Sequence, residues 1–301
     1  MRRDLPAEFE IKVPGSIANL GPGFDTLAVA VQLYLRLRVK VGAGRNELQF
    51  EFPQGPLDGE NYVERAFRFL ANQQGGEFPS LHVEVHSEIP LKSGLGSSAA
   101  ATVAGLRLFE FINGPLPARG LLNAACALEH HPDNVAAALM GGLTVSCQLS
   151  DRSVVAVRMR WPDHLCLVVL TPEYSLATSE SRKVLPETIT REDAVFNVQR
   201  VALLLQTLQS GDSSLLREAL QDRMHQPFRQ HLVPGLQQAL ELDHPDLLGV
   251  CLSGAGPSIV GFAEQNFEEV AQALGGTIRS CGLRFQTRRL CVHQDEVDAV
   301  S

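Results

Sequence analysis

Residues 90–101, with the sequence PLKSGLGSSAAA, combine glycine, serine and lysine between a predicted strand and a predicted helix. Gly94 and Gly96 allow the backbone to approach a ligand closely. The first turn of the helix presents unpaired N–H groups and the positive end of the helix dipole, which favours phosphate. Two serine hydroxyls and the ammonium group of Lys92 add to this arrangement. The segment therefore predicts a binding site for a nucleotide phosphate.

Two alternatives remain open for this segment taken alone. It is not a P-loop of the form G-x-x-x-x-G-K-[ST], because its lysine precedes the glycines. It formally fits the dinucleotide pattern G-x-G-x-x-[GA] through Gly94, Gly96 and Ala99. However, no acidic residue ends a second strand about 20 residues later, and Glu110 falls within the helical pattern. The other alternative is an ordinary glycine-rich turn between a strand and a helix.

Polar side chains also concentrate in two segments outside this loop. Residues 14–25, PGSIANLGPGFD, are rich in Gly and Pro, which predicts a tight, ordered loop. Asn19 and Asp25 either point inward from that loop or form an ordinary Asx turn. Residues 129–134, EHHPDN, place a proline and Asp133 where a helix would begin. Capping alone would explain Asp133, but it would not explain why two acids, two imidazoles and an amide cluster here.

Two arginines lie in segments that contain proline. Arg182 belongs to residues 178–186, TSESRKVLP, and Arg229 belongs to residues 222–229, DRMHQPFR. Arginine can bind a carboxylate or phosphate through two parallel hydrogen bonds, although most arginines simply face solvent. Residues 253–258, SGAGPS, lie between two predicted strands. They would form either a nest of backbone N–H groups for an anion or a hairpin turn that requires glycine.

Composition limits the classes of function. The 301 residues suggest about two domains, and the formal net charge of −8 without a basic stripe argues against nucleic acid as a partner. None of the six cysteines forms a C-x-x-C pair, so zinc-ribbon and thioredoxin-type sites have no support. No apolar signal segment follows Met1, and the apolar run 165–170 is too short to cross a membrane. We expect a cytoplasmic protein without a membrane partner.

Hydrophobic periodicity predicts interleaved strands and helices. Strands are predicted over 9–13, 29–41, 81–89, 143–148, 154–159, 165–170, 248–253, 258–262 and 285–292, and helices over 61–72, 98–111, 119–129, 133–139, 193–209, 214–221, 235–241 and 266–274. The order is too irregular for a doubly wound sheet. We predict two domains, residues 1–160 and 161–301. The sequence identifies no oligomer interface and is compatible with a homodimer.

Three of these segments occur in an order and at distances that are typical of one enzyme family. With residues 13–25, 90–99 and 253–258, the chain resembles, over nearly its whole length, the small-molecule kinases that include galactokinase, homoserine kinase, mevalonate kinase and phosphomevalonate kinase. Within that family, the segments most similar to the homoserine kinases are residues 16–25, residues 131–135, Thr178 with Arg182, and residues 225–229. One departure is His130, where bacterial members often carry glycine.

The resemblance implies an α+β fold of two domains, an N-terminal domain like ribosomal protein S5 and a C-terminal ferredoxin-like domain, with the active site between them. It implies that ATP phosphorylates L-homoserine to O-phospho-L-homoserine in threonine biosynthesis. By the same resemblance, ATP is bound by Pro90, Leu91, Lys92, Ser93, Gly94, Leu95, Gly96, Ser97, Ser98, Ala99, Gly254 and Gly256. Ser98 and Glu129 would be the protein groups near Mg²⁺, and a hydroxyl and a carboxylate are suitably hard ligands.

The resemblance also assigns the groups around the acceptor substrate. Arg182 and Arg229 would bind the carboxylate of homoserine, and Asn19 and Asp25 would face its ammonium group. The remaining implied contacts come from His131, Asp133, Asn134 and Thr178. Asp133 and Asn134 are the implied catalytic residues, and Asp133 would either deprotonate the hydroxyl or only orient it.

Two alternatives within this fold remain open. A related kinase that acts on mevalonate or a sugar would keep the ATP loops but would not need both Arg182 and Arg229. A non-catalytic sensor could bind ATP and a metabolite but lose Glu129 or Asp133, and both are present here.

Overall fold

The computed structural model describes residues 5–57, 59–75 and 77–296, and in that part of the chain the strands form two sheets. The first sheet contains six strands. They are β1 (Glu8–Ala18), β2 (Leu27–Arg45), β3 (Leu48–Glu51), β4 (Pro79–Ser87), β5 (Leu143–Gln148) and β6 (Val154–Met159). The order is β3-β4-β2-β5-β6, β1 also pairs with β2, and β3 and β4 are the parallel pair.

The second sheet contains four antiparallel strands in the order β10-β7-β9-β8. They are β7 (Cys166–Pro172), β8 (Gly249–Leu252), β9 (Ile259–Ala263) and β10 (Phe285–Leu290). The helices are α1 (Tyr62–Gln74), α2 (Ser97–Asn113), α3 (Ala118–Glu129), α4 (Pro132–Met140), α5 (Thr178–Lys183), α6 (Arg191–Ser210), α7 (Leu216–Ala219), α8 (Gln226–Arg229), α9 (Leu236–Leu240) and α10 (Phe267–Arg279). The predicted α+β class is confirmed.

Alternating side chains place the core on one face of each strand. In β2, Leu35, Leu37 and Val39 are buried, whereas Arg38 and Lys40 are exposed. A period of two residues carries these two sets to opposite faces of the sheet. The buried set packs with α1, α2, α3 and α4 in one hydrophobic core.

The second sheet has apolar side chains on both faces because helices cover both of them. Leu167 and Val169 of β7 join the core of the first sheet, together with Leu204 of α6. Val168 and Leu170 face the other way, into a second core that includes Leu274 of α10. One apolar core therefore runs from the first sheet into the second.

The predicted domain boundary near residue 160 lies in the connection between the two sheets. Every strand up to Met159 belongs to the first sheet, and every strand from Cys166 onward belongs to the second. The last described segment nevertheless returns to the first sheet, because Val292 bridges to Val31 and His293 N donates to Ala30 O.

The structure corrects the loop that was predicted over residues 14–25. Its first part, Pro14 to Ala18, continues β1 and pairs with β2 after a register shift between Pro14 and Gly15. The shift is compatible with close packing at Gly15, where an added Cβ would lie 3.0 Å from Leu95 O. The turn itself begins at Asn19, which has a φ of 71°.

Short elements were the other errors of the sequence prediction. The strand β3 and the helices α5 and α8 were not predicted, and each has only four to six residues. The helix predicted over residues 214–221 is instead a 3₁₀ turn, Ser213–Leu215, followed by the single turn α7. Such short segments carry little periodicity of their own and are formed by tertiary contacts. Among the described residues, no helix is both long and apolar enough to cross a membrane.

Candidate active site

A cavity of about 870 Å³ opens where the glycine loop meets the starts of α2, α4 and α5. Most of the predicted site residues line it. They are Asn19, Asp25, Pro90, Leu91, Lys92, Ser93, Gly94, Gly96, Ser97, Ser98, His131, Asp133, Asn134, Thr178, Arg182, Arg229 and Gly254. Four predicted residues, Leu95, Ala99, Glu129 and Gly256, do not line the cavity.

The phosphate loop, residues 90–99, has the backbone of a phosphate site. Gly94 and Gly96 have φ angles of 82° and 72°, in the left-handed region that glycine reaches without strain. Helix α2 starts at Ser97 without a side-chain cap on its first N–H groups. Those donors and the helix dipole point toward the cavity, so an anion would bind there without competing with a cap.

Gly96 also connects the phosphate loop to α4. A Cβ on Gly96 would lie 2.2 Å from Ser16 Oγ and 3.1 Å from Asn134 Oδ1. Ser16 Oγ itself donates to Asn134 Oδ1 over 2.7 Å. The start of α4, which carries Asp133, therefore adjoins the loop that would hold phosphate.

Glu129 lies behind the phosphate loop with both of its carboxylate oxygens engaged. Ser98 Oγ donates to Oε2 over 2.7 Å. Thr102 Oγ1 and Arg65 Nη2 both bind Oε1, at 2.8 Å and 3.1 Å. Arg65 and Thr102 were not predicted, and nothing in their sequence neighbourhood separates them from ordinary helix residues.

Asp133 is buried, with 3% of its surface exposed. Its Oδ1 accepts from Asn134 N over 2.7 Å. Burial, with a smaller contribution from the nearby charge of Asp25, raises the pKa of this carboxyl to about 7. A carboxyl group with such a pKa, next to a phosphate loop, is suited to general-base chemistry near neutral pH.

Arg182 joins two segments of the cavity wall. Its Nη2 forms an ion pair with Asp25 and donates to His131 Nδ1 over 3.0 Å. Burial and the charge of Arg182 lower the pKa of His131, so the imidazole is neutral at pH 7 and can accept that bond. The Asp25 carboxylate thus compensates the positive charge of Arg182.

Arg229 is almost fully buried, with 1% of its surface exposed. Its Nη1 donates to Gly254 O over 2.9 Å and to His225 Nδ1 over 3.1 Å, and its Nε donates to Ser181 O over 3.3 Å. Burial and the charge of Arg182 lower the pKa of Arg229 to about 10, so its guanidinium keeps its charge at pH 7.

Each of the two arginines keeps one terminal nitrogen, Arg182 Nη1 and Arg229 Nη2, for which the described residues supply no hydrogen bond. Both guanidinium groups lie against the ring of Phe24, at 5.2 Å and 5.5 Å from its centroid. The two cations therefore face one small volume of the cavity. We define the acceptor cluster as Asp25, His131, Asp133, Arg182 and Arg229.

The loop 253–258 is tied to the rest of the site through its backbone. It is a hairpin loop between β8 and β9, and the N–H groups of Gly254, Gly256 and Ser258 bond to Ala18, to Ser253 and to Ser93. A Cβ on Gly256 would meet Leu252 and Val233 at 3.1 Å. This bonding favours the hairpin interpretation over an anion nest.

Apart from Leu91, the residues at the apolar end of the cavity were not predicted. This end is lined by Leu35, Phe52, Pro56, Leu57, Tyr62, Val63, Val85, Ile89 and Leu91. The available sequence signal was the Gly- and Pro-containing stretch before α1, which predicts a loop but does not indicate which way its side chains point. This end has the apolar lining that ligand pockets usually present to a flat ring.

Two segments of the chain match a known protein family, and curated relatives match most of its length. Residues 61–142 match the GHMP kinase N-terminal domain, and residues 204–278 match the GHMP kinase C-terminal domain. The homoserine kinase of Solibacter usitatus is 41% identical over 93% of this chain and 93% of its own length. The homoserine kinase of Deinococcus radiodurans is 44% identical over 85% of each chain.

A solved structure agrees with these sequence relationships. The crystal structure of a homoserine kinase from Cytophaga hutchinsonii superposes with a TM-score of 0.86 at 26% identity, and the match covers 98% of both chains. Likeness of this extent covers both sheets and the cavity between them. The chain therefore belongs to the homoserine kinases of the GHMP kinase family.

Proposed function

We propose that this protein transfers the terminal phosphoryl group of ATP to the hydroxyl of L-homoserine, which gives O-phospho-L-homoserine for threonine biosynthesis. The observation that carries the proposal is that the phosphate loop adjoins Asn134, the residue next to Asp133 of the acceptor cluster. Gly96 and Asn134 are neighbours, so a phosphate on the loop and a hydroxyl beside Asp133 would meet. Phosphoryl transfer depends mainly on such positioning and on charge stabilisation.

ATP would lie across the phosphate loop, with its phosphates at the start of α2. The uncapped N–H groups of that helix and the ammonium group of Lys92 favour a polyanion. The adenine ring would then occupy the apolar end of the cavity, near Phe52 and Tyr62. With this assignment, ATP occupies both the phosphate loop and the apolar end of one continuous cavity.

Ser98 and Glu129 have the chemistry of a magnesium site. Their oxygens lie 2.7 Å apart, and both are hard ligands. Arg65 and Thr102 hold Oε1 of Glu129, so Oε2, which accepts from Ser98 Oγ, is the oxygen that would contribute to such a site. When bound, Mg²⁺ would neutralise charge on the phosphate oxygens.

The carboxylate of homoserine would lie between the two arginines. Arg182 Nη1 and Arg229 Nη2 are the available donors, so we propose one charged hydrogen bond from each arginine in place of a two-bond fork from either one. Thr178, the exposed first residue of α5, lines the cavity beside them.

The ammonium group of homoserine would face Asp25. Asn19 has a supporting part in this arrangement, because its Nδ2 donates to Gly254 O and its Oδ1 accepts from Asp25 N. Both ends of the Asn19 side chain therefore hold the turn that presents the Asp25 carboxylate.

The hydroxyl of homoserine would bind at Asp133, between His131 and Asn134. Asp133 Oδ1 is already bonded to Asn134 N, so Oδ2 is the oxygen that can accept the hydroxyl proton. Burial places the pKa of Asp133 at about 7, so about half of this carboxyl is ionised at pH 7 and can take a proton.

The test is a coupled ADP-release assay with L-homoserine, mevalonate, galactose and threonine as acceptors. We expect turnover with homoserine that far exceeds turnover with the other three. Preference for mevalonate or galactose would identify a related kinase instead. ATP binding without turnover on any acceptor would identify a sensor.

We further propose that the domain division lies near residue 160, where the chain passes from the first sheet to the second. The prediction of a cytoplasmic location is compatible with six unpaired cysteines in the structure. The homodimer stays a prediction, and sedimentation analysis of the purified protein would test it.

A further inference from the structure

His225 is a fully buried imidazole with both ring nitrogens bonded. It lies immediately before α8, with none of its surface exposed. Its Nε2 is 2.7 Å from Gly21 O, and its Nδ1 is 3.1 Å from Arg229 Nη1. The ring also stacks on Phe24, with the ring centroids 5.3 Å apart.

The partners of His225 determine its tautomer. A backbone carbonyl can only accept a hydrogen bond, so Nε2 must carry the proton. A guanidinium can only donate, so Nδ1 must be the acceptor. Burial and the charge of Arg229 lower the pKa of His225, although Asp222 opposes this change, and the ring is neutral at pH 7.

The position of His225 is itself strongly determined. Asp222 accepts hydrogen bonds from the N–H groups of Met224, His225 and Gln226, at 2.8 Å, 3.0 Å and 2.7 Å. The Gln226 side chain accepts from Leu252 N over 2.7 Å, which ties α8 to β8. These bonds therefore fix the backbone that carries the imidazole, in addition to the contacts of the ring with Gly21 and Arg229.

We propose that His225 is a positioning residue that aligns the two halves of the homoserine site through its two nitrogens. The bond from Nδ1 orients Arg229 for the substrate carboxylate. The bond from Nε2–H holds Gly21 in the turn that presents Asp25 to the ammonium group. This inference rests on the proposed function, because it assigns the two bonds to the two ends of homoserine.

Two substitutions separate the two bonds. In His225→Asn the amide oxygen stands near the former Nδ1 and can still accept from Arg229, but the donor to Gly21 is lost. In His225→Gln the amide nitrogen reaches the former Nε2 and can still donate to Gly21, but the acceptor for Arg229 is lost. His231→Asn and His231→Gln, at an exposed histidine six positions away, are matched controls.

The acceptors are homoserine and the amino alcohol that homoserine would give on losing its carboxylate. For His225→Gln we expect the homoserine KM to rise roughly 10- to 100-fold, as for a lost hydrogen bond to a charged group. That defect should vanish on the amino alcohol, because the partner of Arg229 is then absent. For His225→Asn we expect a defect on both acceptors, since both carry the ammonium group. The ATP KM should stay unchanged in both variants.

The proposal is overturned if the folded variants keep the wild-type homoserine KM, or if both lose kcat on both acceptors without a difference between them. If the wild-type protein does not phosphorylate homoserine, the proposed function fails first, so the two failures are distinguishable.

NMR of the histidine nitrogens in the wild-type protein tests the idea even if the variants do not fold. We expect a neutral ring protonated at Nε2, whose Nδ1 signal shifts when homoserine is added and not when the amino alcohol is added. An imidazolium at pH 7, or no response to homoserine, would contradict the assignment.

Discussion

The phosphate loop and the acceptor cluster adjoin each other but are built differently. The phosphate loop is one contiguous segment whose donors are backbone N–H groups at the start of α2. The acceptor cluster brings together side chains from four segments, and Asp25 lies 157 positions from Arg182. A helix start favours an anion through its own backbone, whereas a cluster of charged side chains forms only where the fold brings them together.

The two regions also differ in how burial affects them. Burial raises the pKa of Asp133 to about 7 and lowers the pKa of Arg229 to about 10. Both changes favour the uncharged form, so holding the charges of Asp133 and Arg229 in the folded protein costs stability. The phosphate loop uses dipoles of the backbone and does not bury such charges. Removal of the Asp133 charge should therefore change catalysis and stability in opposite directions.

The largest expected effect is that of Asp133→Asn. Asn keeps the shape of the side chain and an oxygen that can accept from Asn134 N, but it cannot take a proton. We expect kcat to fall roughly 10²- to 10⁴-fold, as for the loss of a general base, with an almost unchanged Kd for ATP. Steady-state kinetics and ATP titration measure the two quantities. Near-normal kcat in a folded variant would reduce Asp133 to a structural residue.

The same variant makes a prediction about stability. The Asp133 carboxyl ionises near 3.8 in the unfolded chain and near 7 in the folded protein. Between these values the folded state holds a proton that the unfolded state has lost, so this group makes the free energy of unfolding fall as pH rises from about 4 to about 7, with no further loss above that. At about pH 8, Asp133→Asn should therefore be at least as stable as the wild type in urea denaturation. A clear loss of stability would mean that Asp133 serves the fold.

The next effect concerns the two arginines of the acceptor cluster. Arg182→Lys keeps the charge but loses the planar group that reaches Asp25, His131 and the substrate together. We expect the homoserine KM to rise roughly 10- to 100-fold with ATP binding unchanged, and the same for Arg229→Lys. Arg284→Lys, at an exposed position, is the control. An equal defect on the amino alcohol without a carboxylate would assign these arginines to the phosphate or to the fold.

A smaller effect is expected in the phosphate loop. In Gly96→Ala the new Cβ would stand 2.2 Å from Ser16 Oγ, at a φ of 72° that alanine adopts poorly. We expect ATP to bind about 10-fold more weakly, since about 1.4 kcal/mol of strain is enough for that change. Gly276→Ala is the control, because a Cβ there meets nothing within 4 Å. Unchanged ATP affinity in folded Gly96→Ala would place the nucleotide elsewhere.

The smallest effect concerns His130, which lies between Glu129 and the acceptor cluster. It ends α3 with a φ of 65°, in the left-handed conformation that glycine adopts readily. Glycine removes the cost of the left-handed conformation, but it also raises the backbone entropy of the unfolded chain. The first effect is larger, so the free energy of unfolding of His130→Gly should be about 0.5–1 kcal/mol higher than that of the wild type. Chemical denaturation would measure this gain, and kcat should not change. Loss of kcat would show that the imidazole itself takes part in the site.

The prediction from the sequence was most accurate where the information is local. The strands β2 and β5, the helix α2 and the phosphate loop follow from alternation, helical periodicity and glycine spacing. The short helices α5 and α8 were missed, and their residues Arg182 and Arg229 were assigned through family resemblance. Their sequences alone did not separate a ligand-binding arginine from a solvated one.

The sequence by itself determined the interleaved strands and helices and the glycine- and serine-rich loop before α2, because residue type and short-range spacing are sufficient for these. The groups that could bind homoserine were assigned only through family resemblance. Only the tertiary structure decided that Arg65 and Thr102 hold Glu129, that His225 joins Gly21 to Arg229, and that Gly256 packs against Val233. These contacts join segments far apart in the chain. No local pattern in the sequence places these groups together. The pKa of Asp133 depends in turn on its burial in the folded protein, which removes water from the carboxyl group.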